Sequence, residues 1–435
     1  MMDFARSDDP AVQTQLDRLA RLSVPDGRLG LDTIRQLLER LGDPHHGLPP
    51  VFHVAGTNGK GSTCAFLRTM LEAEGKRVHV TTSPHLVRYN ERIRLAGELI
   101  SDVALAELLR EVLDAGEDLA PSFFEVTIAA AFLAFSRTPA DACVVEVGLG
   151  GRFDATNVLT PEVLAACGIA ALGIDHERFL LAPEDGTPDD PLSRIAFEKA
   201  GIAKPGVSLL TMHYPEGPTL EVERAAARNG APLSMQGRDW TISTTPTGVH
   251  YADRHGEMAL PLPTMTGPHQ AGNAALAIAM LRHQDFVSVS RDAMAEGLRN
   301  ARWPARFQRL APSPLTGDRV IWLDGGHNRN AGEAIAAHLA AHHPGERMHV
   351  IIGMLANKDP RGLLDPLGSI AASVICVPVP GHESHPPASF GEGAVSRPDV
   401  KTALAALPDD GLPVLIAGSL YLAGNVLELT GELPD

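Results

Sequence analysis

The chain has 435 residues, 44% hydrophobic and 21% charged, which is enough for two globular domains and too apolar for a disordered polypeptide. Its 37 Lys and Arg face 53 Asp and Glu, giving a formal net charge of −16 that repels nucleic acid and anionic membrane surfaces. Any anionic ligand must then be gathered locally, by backbone amides, a few basic side chains or metal ions.

The four cysteines, Cys64, Cys143, Cys167 and Cys376, are far apart and lack metal-ligand spacing, so they read as buried free thiols in a reducing compartment. The opening MMDFARSDDPAVQ lacks the apolar core of a signal peptide. The longest apolar stretch, Thr127 to Phe135, is about half the ~20 residues of a membrane helix. A cytoplasmic protein with neither a membrane nor a nucleic-acid partner is expected.

In chain order, Val12, Leu16, Leu19 and Leu22 recur at helical spacing, as do Leu31, Ile34, Leu37, Leu38 and Leu41. PVFHVAG (Pro50–Gly56) predicts a buried strand, and Ser62–Glu74 a helix stopped by Gly75. Strand KRVHVTT (Lys76–Thr82), helices around Asp102–Asp114 and Ser122–Phe135, and strands ACVVEVG (Ala142–Gly148) and EVLAACGI (Glu162–Ile169) follow. Leu181–Pro191 is rich in Asp, Pro and Gly and reads as a linker. Ala231 to Leu262 predicts hairpins at a sheet edge. After a helix over Gln270–Leu281 comes a second βα series, with strands at Arg319–Asp324, Met348–Gly353, Ser373–Val379 and Leu412–Gly418. Strands alternating with helices predict an α/β protein with a mostly parallel sheet. A boundary near Asn300 divides it into domains 1–299 and 300–435.

AGTNGKGST, Ala55 to Thr63, joins a strand to a helix, and its amides and helix N-terminus suit phosphate oxygens. Lys60 would reach the β- and γ-phosphates, although GxxGKGS departs from the strict Walker A pattern. A glycine turn that only packs strand against helix is the plainer alternative. In VVEVGLGGRFDATN, Val144 to Asn157, Glu146 ends a buried strand, where a carboxylate is costly unless it is paired or binds a cation. Ser83 and His176 also follow predicted strands, and with Glu146 make a candidate magnesium set. Arg152 and Asp154 are displayed by the glycine turn. Lys199 lies at a helix end in FEKAGIAKPG and reads locally as a solvated lysine. Gln270 and Asn273 open an alanine-rich helix. Arg306 follows the domain boundary, and LDGGHN presents Asp324 and His327; each alone is as consistent with structure as with function.

Taken together, HVAGTNGKGS, TTSPHL with NERIR, SFFE, EVGLGGRFDATN, EKAGI, HQAGNAALA, WPARFQ, LDGGHN, GMLANKD and AGSLYLAG occur in one order along the chain. In this the sequence resembles the folylpolyglutamate synthase/dihydrofolate synthase branch of the Mur ligase superfamily. The resemblance implies an N-terminal P-loop ATPase domain, a smaller Rossmann-like C-terminal domain and an active site between them. It implies that Gly56, Thr57, Asn58, Gly59, Lys60, Gly61 and Ser62 hold ATP phosphates. Asn273, Arg306, Asp324 and His327 would also bind the nucleotide. Ser83 and Glu146 would bind one Mg2+ ion, and Glu146 with His176 a second. Phe124 and Asp154, with Arg152 beside them, would meet the pterin. Lys199 matches a lysine that is carbamylated in the family, and joins Lys60 and His176 as a catalytic group.

The implied substrates are ATP, L-glutamate and dihydropteroate or a reduced folate, in a monomer; dependence on a monovalent cation is left open. The implied chemistry is an acyl phosphate attacked by the glutamate amine. The chain departs from the family pattern at Ala305, where glycine is common, at Gly326, where alanine is common, and at Arg329, where proline is common. The stretch from His176 to Lys199 is longer than usual. A Mur-type cell-wall ligase shares the chemistry but normally carries a further N-terminal domain, and only Met1 to Pro49 precede the loop's strand. A P-loop kinase or NTPase would release phosphate without glutamate.

Overall fold

A computed structural model describes residues 6–22, 30–175 and 177–434. The chain divides into two compact units, one of Met1–Pro84, Arg88–Thr264 and Gln270–Arg302, the other of His85–Val87, Met265–His269 and Trp303–Asp435.

In the first unit, helices α1 (Pro10–Leu19) and α2 (Asp32–Arg40) precede β1 (Val51–Ala55), α3 (Lys60–Ala73), β2 (Val78–Thr81) and the short β3 (Ile93–Leu95) and β4 (Glu98–Leu99). Then come α4 (Asp102–Gly116), α5 (Phe123–Arg137), β5 (Ala142–Glu146), β6 (Leu164–Ile169), α6 (Glu177–Leu180), α7 (Pro191–Ala200), β7 (Ser208–Thr211), α8 (Glu216–Asn229) and β8 (Leu233–Met235). These eight strands form one sheet in the order β4-β3-β2-β5-β1-β6-β7-β8. From β2 to β8 every pairing is parallel, while β3 and β4 attach antiparallel. All residues of β1, β5 and β6 are buried, which is why they read as unbroken apolar runs rather than alternating ones.

The expected edge hairpins take a different form. β8 joins the large sheet in parallel, and β9 (Trp240–Thr245), β10 (Gly248–Asp253) and β11 (Gly256–Leu260) make a separate antiparallel sheet. Val249 and Tyr251 alternate as buried residues along β10, so this small sheet buries one face only. Helices α9 (His269–Arg282) and α10 (Arg291–Asn300) follow.

The second unit holds a six-stranded sheet of β12 (Gln308–Arg309), β13 (Ile321–Leu323), β14 (Met348–Ile352), β15 (Ala371–Cys376), β16 (Val395–Ser396) and β17 (Val414–Ala417). The order is β12-β13-β17-β14-β15-β16, parallel throughout except at β12. Helices α11 (Arg329–His342), α12 (Pro360–Leu367), α13 (Val400–Ala405) and α14 (Leu420–Thr430) accompany it. Two apolar clusters, one around Ile321, Ile416 and Val426 and the other around Val350, Leu363 and Leu415, form its core. The protein is thus α/β, with a large mostly parallel sheet and a smaller Rossmann-like one. The four cysteines are free and buried, and among the described residues no helix is long and apolar enough to cross a membrane.

The helix behind the glycine loop is held by close backbone contact. The Thr69 hydroxyl of α3 donates to the Gly297 carbonyl of α10 at 3.1 Å. A Cβ at Gly297 would stand 2.7 Å from the Met70 Cα and backbone nitrogen. Backbone cannot swing aside as a side chain can, so Gly297→Ala should force the two helices apart. Overpacking costs about 1–3 kcal/mol, and with backbone as the obstacle its upper part, about 2–3 kcal/mol, exceeds the ~1 kcal/mol gained in helix propensity. We expect a net loss of about 1–2 kcal/mol in urea unfolding; an unchanged midpoint would contradict this packing.

Candidate active site

The loop from β1 to α3 is shaped by two glycines, Gly56 at φ +148° and Gly59 at φ +85°. A Cβ at Gly56 would lie 2.9 Å from that of Ala170, and one at Gly59 would run into the side-chain amide of Asn273. That contact sets Asn273 of α9 against the loop. Asn273 Nδ2 donates to Gln270 Oε1 at 3.0 Å, and the Gln270 amide nitrogen is buried without a hydrogen-bond partner in the structure.

Not every loop amide faces outward. The N–H groups of Thr57 and Asn58 both donate to the Ala171 carbonyl, at 2.8 and 3.2 Å, and the Thr57 hydroxyl donates to the Gly173 carbonyl at 2.8 Å. These residues moor the loop to the segment after β6. The helix N-terminus remains, with Lys60, Gly61 and Ser62 in the first turn and Gly59 as an N-cap that has no side chain to occupy their amides. Ser62 is buried.

Two lysines converge on this loop. Lys60 Nζ donates to the Gly56 carbonyl at 3.1 Å, and Lys199 Nζ donates to the same oxygen at 2.9 Å. Glu146, buried at the end of β5, has Oε1 4.0 Å from Lys60 Nζ and accepts from the Ser83 backbone N–H through Oε2 at 3.1 Å. Lys199 is buried, and burial, reinforced by the charge of Lys60, pushes its amine down to about 7, against the opposing pull of Asp175, Asp154 and Glu198. His176 lies outside the described residues, and Asp175 beside it is half-buried.

Interlocked glycines fix Lys199. A Cβ at Gly151 would lie 2.9 Å from the carbonyl oxygens of Glu198 and Lys199, and one at Gly201 would lie 2.5 Å from the Arg152 Cα. The Arg152 N–H donates to the Glu198 carbonyl at 2.8 Å. The Arg152 guanidinium also spans two carboxylates, reaching Glu198 at 2.8 and 3.1 Å and Glu184 at 2.6 and 3.2 Å. Arg194 joins both acids, at 3.1 and 3.2 Å. The charge of Arg152 is therefore spent inside the protein, holding the glycine turn to α7 and to the 181–191 loop that carries Glu184.

Asp154 is likewise turned inward. It is buried, takes the Leu149 N–H at 2.7 Å on one oxygen, and takes the Thr156 N–H and hydroxyl on the other. Burial raises its carboxyl, opposed chiefly by those backbone bonds. Phe124, half-buried, stacks its ring where a Cβ on Gly148 would be. The structure thus brings Lys60, Ser83, Phe124, Glu146, Arg152, Asp154, Lys199 and Asn273 onto one loop system. Sequence reasoning missed Glu184, Arg194 and Glu198. The spacing of Arg194 and Glu198, one helical turn apart, was a signal; nothing local marks Glu184.

Within the second unit, Arg306, Asp324 and His327 gather at the end of β13. Ala305 and Phe307, flanking Arg306, stand at φ +53° and +45°. Asp324 is buried and accepts from the Phe307 N–H at 2.8 Å and the Gly326 N–H at 2.6 Å. Burial raises its carboxyl and the Arg306 charge opposes this. An Arg306 guanidinium nitrogen lies 3.1 Å from the Ala305 carbonyl, and His327 Nδ1 lies 3.1 Å from the Gly325 carbonyl.

No family model matches the chain. Over 411 residues it is 34% identical to the dihydrofolate synthase/folylpolyglutamate synthase of Escherichia coli (strain K12), covering 92% of this chain and 91% of that protein. Its fold superposes on Escherichia coli FolC in complex with DHPP and ADP with a TM-score of 0.85, at 31% identity and over 98% of each chain. A bifunctional folylpolyglutamate synthase/dihydrofolate synthase with Mn, AMPPNP and L-glutamate bound gives a TM-score of 0.84 at 30% identity, over 98% of this chain and 99% of that one. With identity of this level over nearly the whole length of both chains, the protein belongs to the dihydrofolate synthase/folylpolyglutamate synthase family.

Proposed function

We propose that the protein is an ATP-dependent ligase that adds L-glutamate both to dihydropteroate and to reduced folates, through an acyl phosphate. The observation that carries this reading is the convergence of Lys60 and Lys199 on the Gly56 carbonyl, at the head of α3 and beside buried Glu146. A pair of amines and an uncapped helix N-terminus suit a polyphosphate, and the neighbouring carboxylate suits the cations that accompany it.

Those residues also fit a divalent ion. Glu146 is a buried carboxylate next to the Ser83 backbone, and with the Ser83 hydroxyl it would make a hard oxygen set of the kind magnesium prefers. Ser83 and Glu146 would hold one Mg2+ ion, and Glu146 with His176 a second. When bound, such ions neutralise charge on the transferring phosphoryl group.

The chain's own part is to position and to neutralise. Lys60 and the first-turn amides of α3 hold the β- and γ-phosphates while a substrate carboxylate oxygen attacks the γ-phosphorus and ADP leaves. The glutamate amine then attacks the acyl carbon, loses a proton and expels phosphate, leaving an amide. Lys199, with its amine down to about 7, is substantially neutral at physiological pH. Neutral amine and CO2 combine to a carbamate and release a proton, placing an anion beside Lys60 where an ammonium is repelled. Asn273, Arg306, Asp324 and His327 are assigned to the nucleotide, and Phe124 to the pterin. Arg152 and Asp154 are assigned to holding the turn that frames that site.

Lys60→Ala should keep the fold by circular dichroism and lower kcat by about 10²–10³, the usual cost of one lost transition-state contact. Near-normal kcat would remove Lys60 from the phosphate site.

Lys199 yields a pH signature of definite sign. In the unfolded chain its pKa is about 10.4, so between pH ~7 and ~10 the unfolded state carries a proton the folded state lacks. The burial penalty is full below pH 7 and is relieved as the pH rises. In CO2-free buffer, wild type should therefore gain stability on Lys199→Met from pH 7 to 9, and a flat difference would show a permanently charged amine. With 13C-bicarbonate, wild type should show a carbamate resonance that Lys199→Met lacks.

ADP release should require glutamate with either dihydropteroate or a reduced folate. Release at full rate without glutamate would instead support a kinase or NTPase, and activity with one pterin alone would refute bifunctionality.

A further inference from the structure

Away from this site, the turn that feeds β1 carries its own cluster of donors. In the sequence Asp43-Pro44-His45-His46, Asp43 takes a left-handed conformation at φ +53° and Pro44–Gly47 forms a single 3-10 turn. The Asp43 N–H donates to the Leu38 carbonyl at 2.8 Å, and the His46 N–H donates to the Asp43 carbonyl at 3.1 Å. This closed turn brings one ligand atom from each of Asp43, His45 and His46 within 4.8 Å of the others. The two imidazole rings lie 4.0 Å apart between centroids, tilted by 44°.

His45 is only 6% exposed, yet its Nδ1 is buried with no hydrogen-bond partner in the structure. A buried polar atom left unpaired costs about 1–3 kcal/mol, and an ion is one of the few things that repays it. His46 is exposed, which gives an ion a path from solvent. The Glu162 carboxylate interacts electrostatically with His46 and adds negative charge on the same side.

We propose that Asp43, His45 and His46 form a binding site for a zinc-class divalent ion, with water completing its shell. Two imidazoles and one carboxylate suit Zn2+, Ni2+ or Cu2+ better than magnesium, which favours sites dominated by oxygen donors. The turn packs on α5 and leads into β1, so a bound ion would stiffen the turn from which the strand before the glycine loop starts. None of the three residues belongs to the ligase chemistry assigned above, so the two readings fail independently.

The test is Zn2+ titration of the chelator-treated full-length protein, with Mg2+ and ADP at saturation so that any other divalent site is occupied. Asp43→Asn suits the left-handed backbone as well as Asp does, and His46→Gln changes an exposed side chain, so both variants should fold. Wild type should take up one Zn2+ per chain, and each variant should bind at least about 10-fold more weakly, since disturbing even an outer-shell partner costs 10–100-fold. Substituted Co2+ should give a visible d–d spectrum in wild type that is lost in His46→Gln. Equal Zn2+ affinity in wild type and both variants, or no uptake by wild type, would overturn the site.

Discussion

One carbonyl oxygen, that of Gly56, organises the first unit. Two lysines donate to it, Lys60 from the helix that follows the loop and Lys199 from a helix far along the chain. Two ammonium groups cannot share one acceptor cheaply in a buried setting, since their repulsion is poorly screened there. Burial, with that repulsion added to it, lowers the amine of Lys199, the more buried of the two. Lys60 keeps Glu146 at 4.0 Å as a counter-charge. The loop thus holds Lys60 beside a carboxylate and Lys199 with an amine lowered by burial, the difference that the proposed phosphate and carbamate roles call for.

That arrangement works only if Lys199 arrives at a fixed position, and the means is close packing rather than a long-range charge. Gly151 and Gly201 each sit where a Cβ would strike the backbone of the other segment. GLGGR and EKAGI therefore depend on each other physically: a side chain at either glycine would push Lys199 away from Gly56. Arg152 and Arg194, shared between Glu184 and Glu198, close the same joint with charge. These side chains are mostly buried, and breaking such a pair leaves an uncompensated charge behind. The 181–191 segment supplies Glu184, so it is tied into the joint rather than looping freely.

Much of this was legible in the sequence. Strands β1, β5, β6, β14 and β17 are buried, largely apolar runs, and each is found where the pattern placed it. Strands β3, β4, β12 and β16 are two or three residues long and exist because a neighbour offers hydrogen bonds, which no local pattern records. Lys60 and Glu146 stand out because a cation in a glycine loop and an acid in an apolar strand are anomalous locally. Lys199 does not, because its environment is made by residues 143 positions away. Arg152 and Asp154 were visible as polar groups on a turn, but their inward direction depends on partners that only the folded chain assembles.

Ala305, Asp324 and Gly326 in the second unit also share a common physical centre. Ala305 holds a left-handed backbone at φ +53°, where glycine carries no penalty and alanine costs roughly 1–2 kcal/mol. The conformation persists because its neighbours over-determine it: Gln308 accepts the Ala305 N–H at 3.0 Å, and Asp324 accepts the Phe307 N–H at 2.8 Å. Asp324 in turn takes the Gly326 N–H at 2.6 Å, and a Cβ at Gly326 would lie 2.6 Å from Asp324 Oδ1 and from the Ala331 Cβ. With Gly326 the acid can sit close, and a close acid can hold the strained Ala305–Phe307 turn. Gly326 and the strained turn at Ala305–Phe307 are therefore coupled through Asp324, and the placement of Arg306 between Ala305 and Phe307 depends on that coupling.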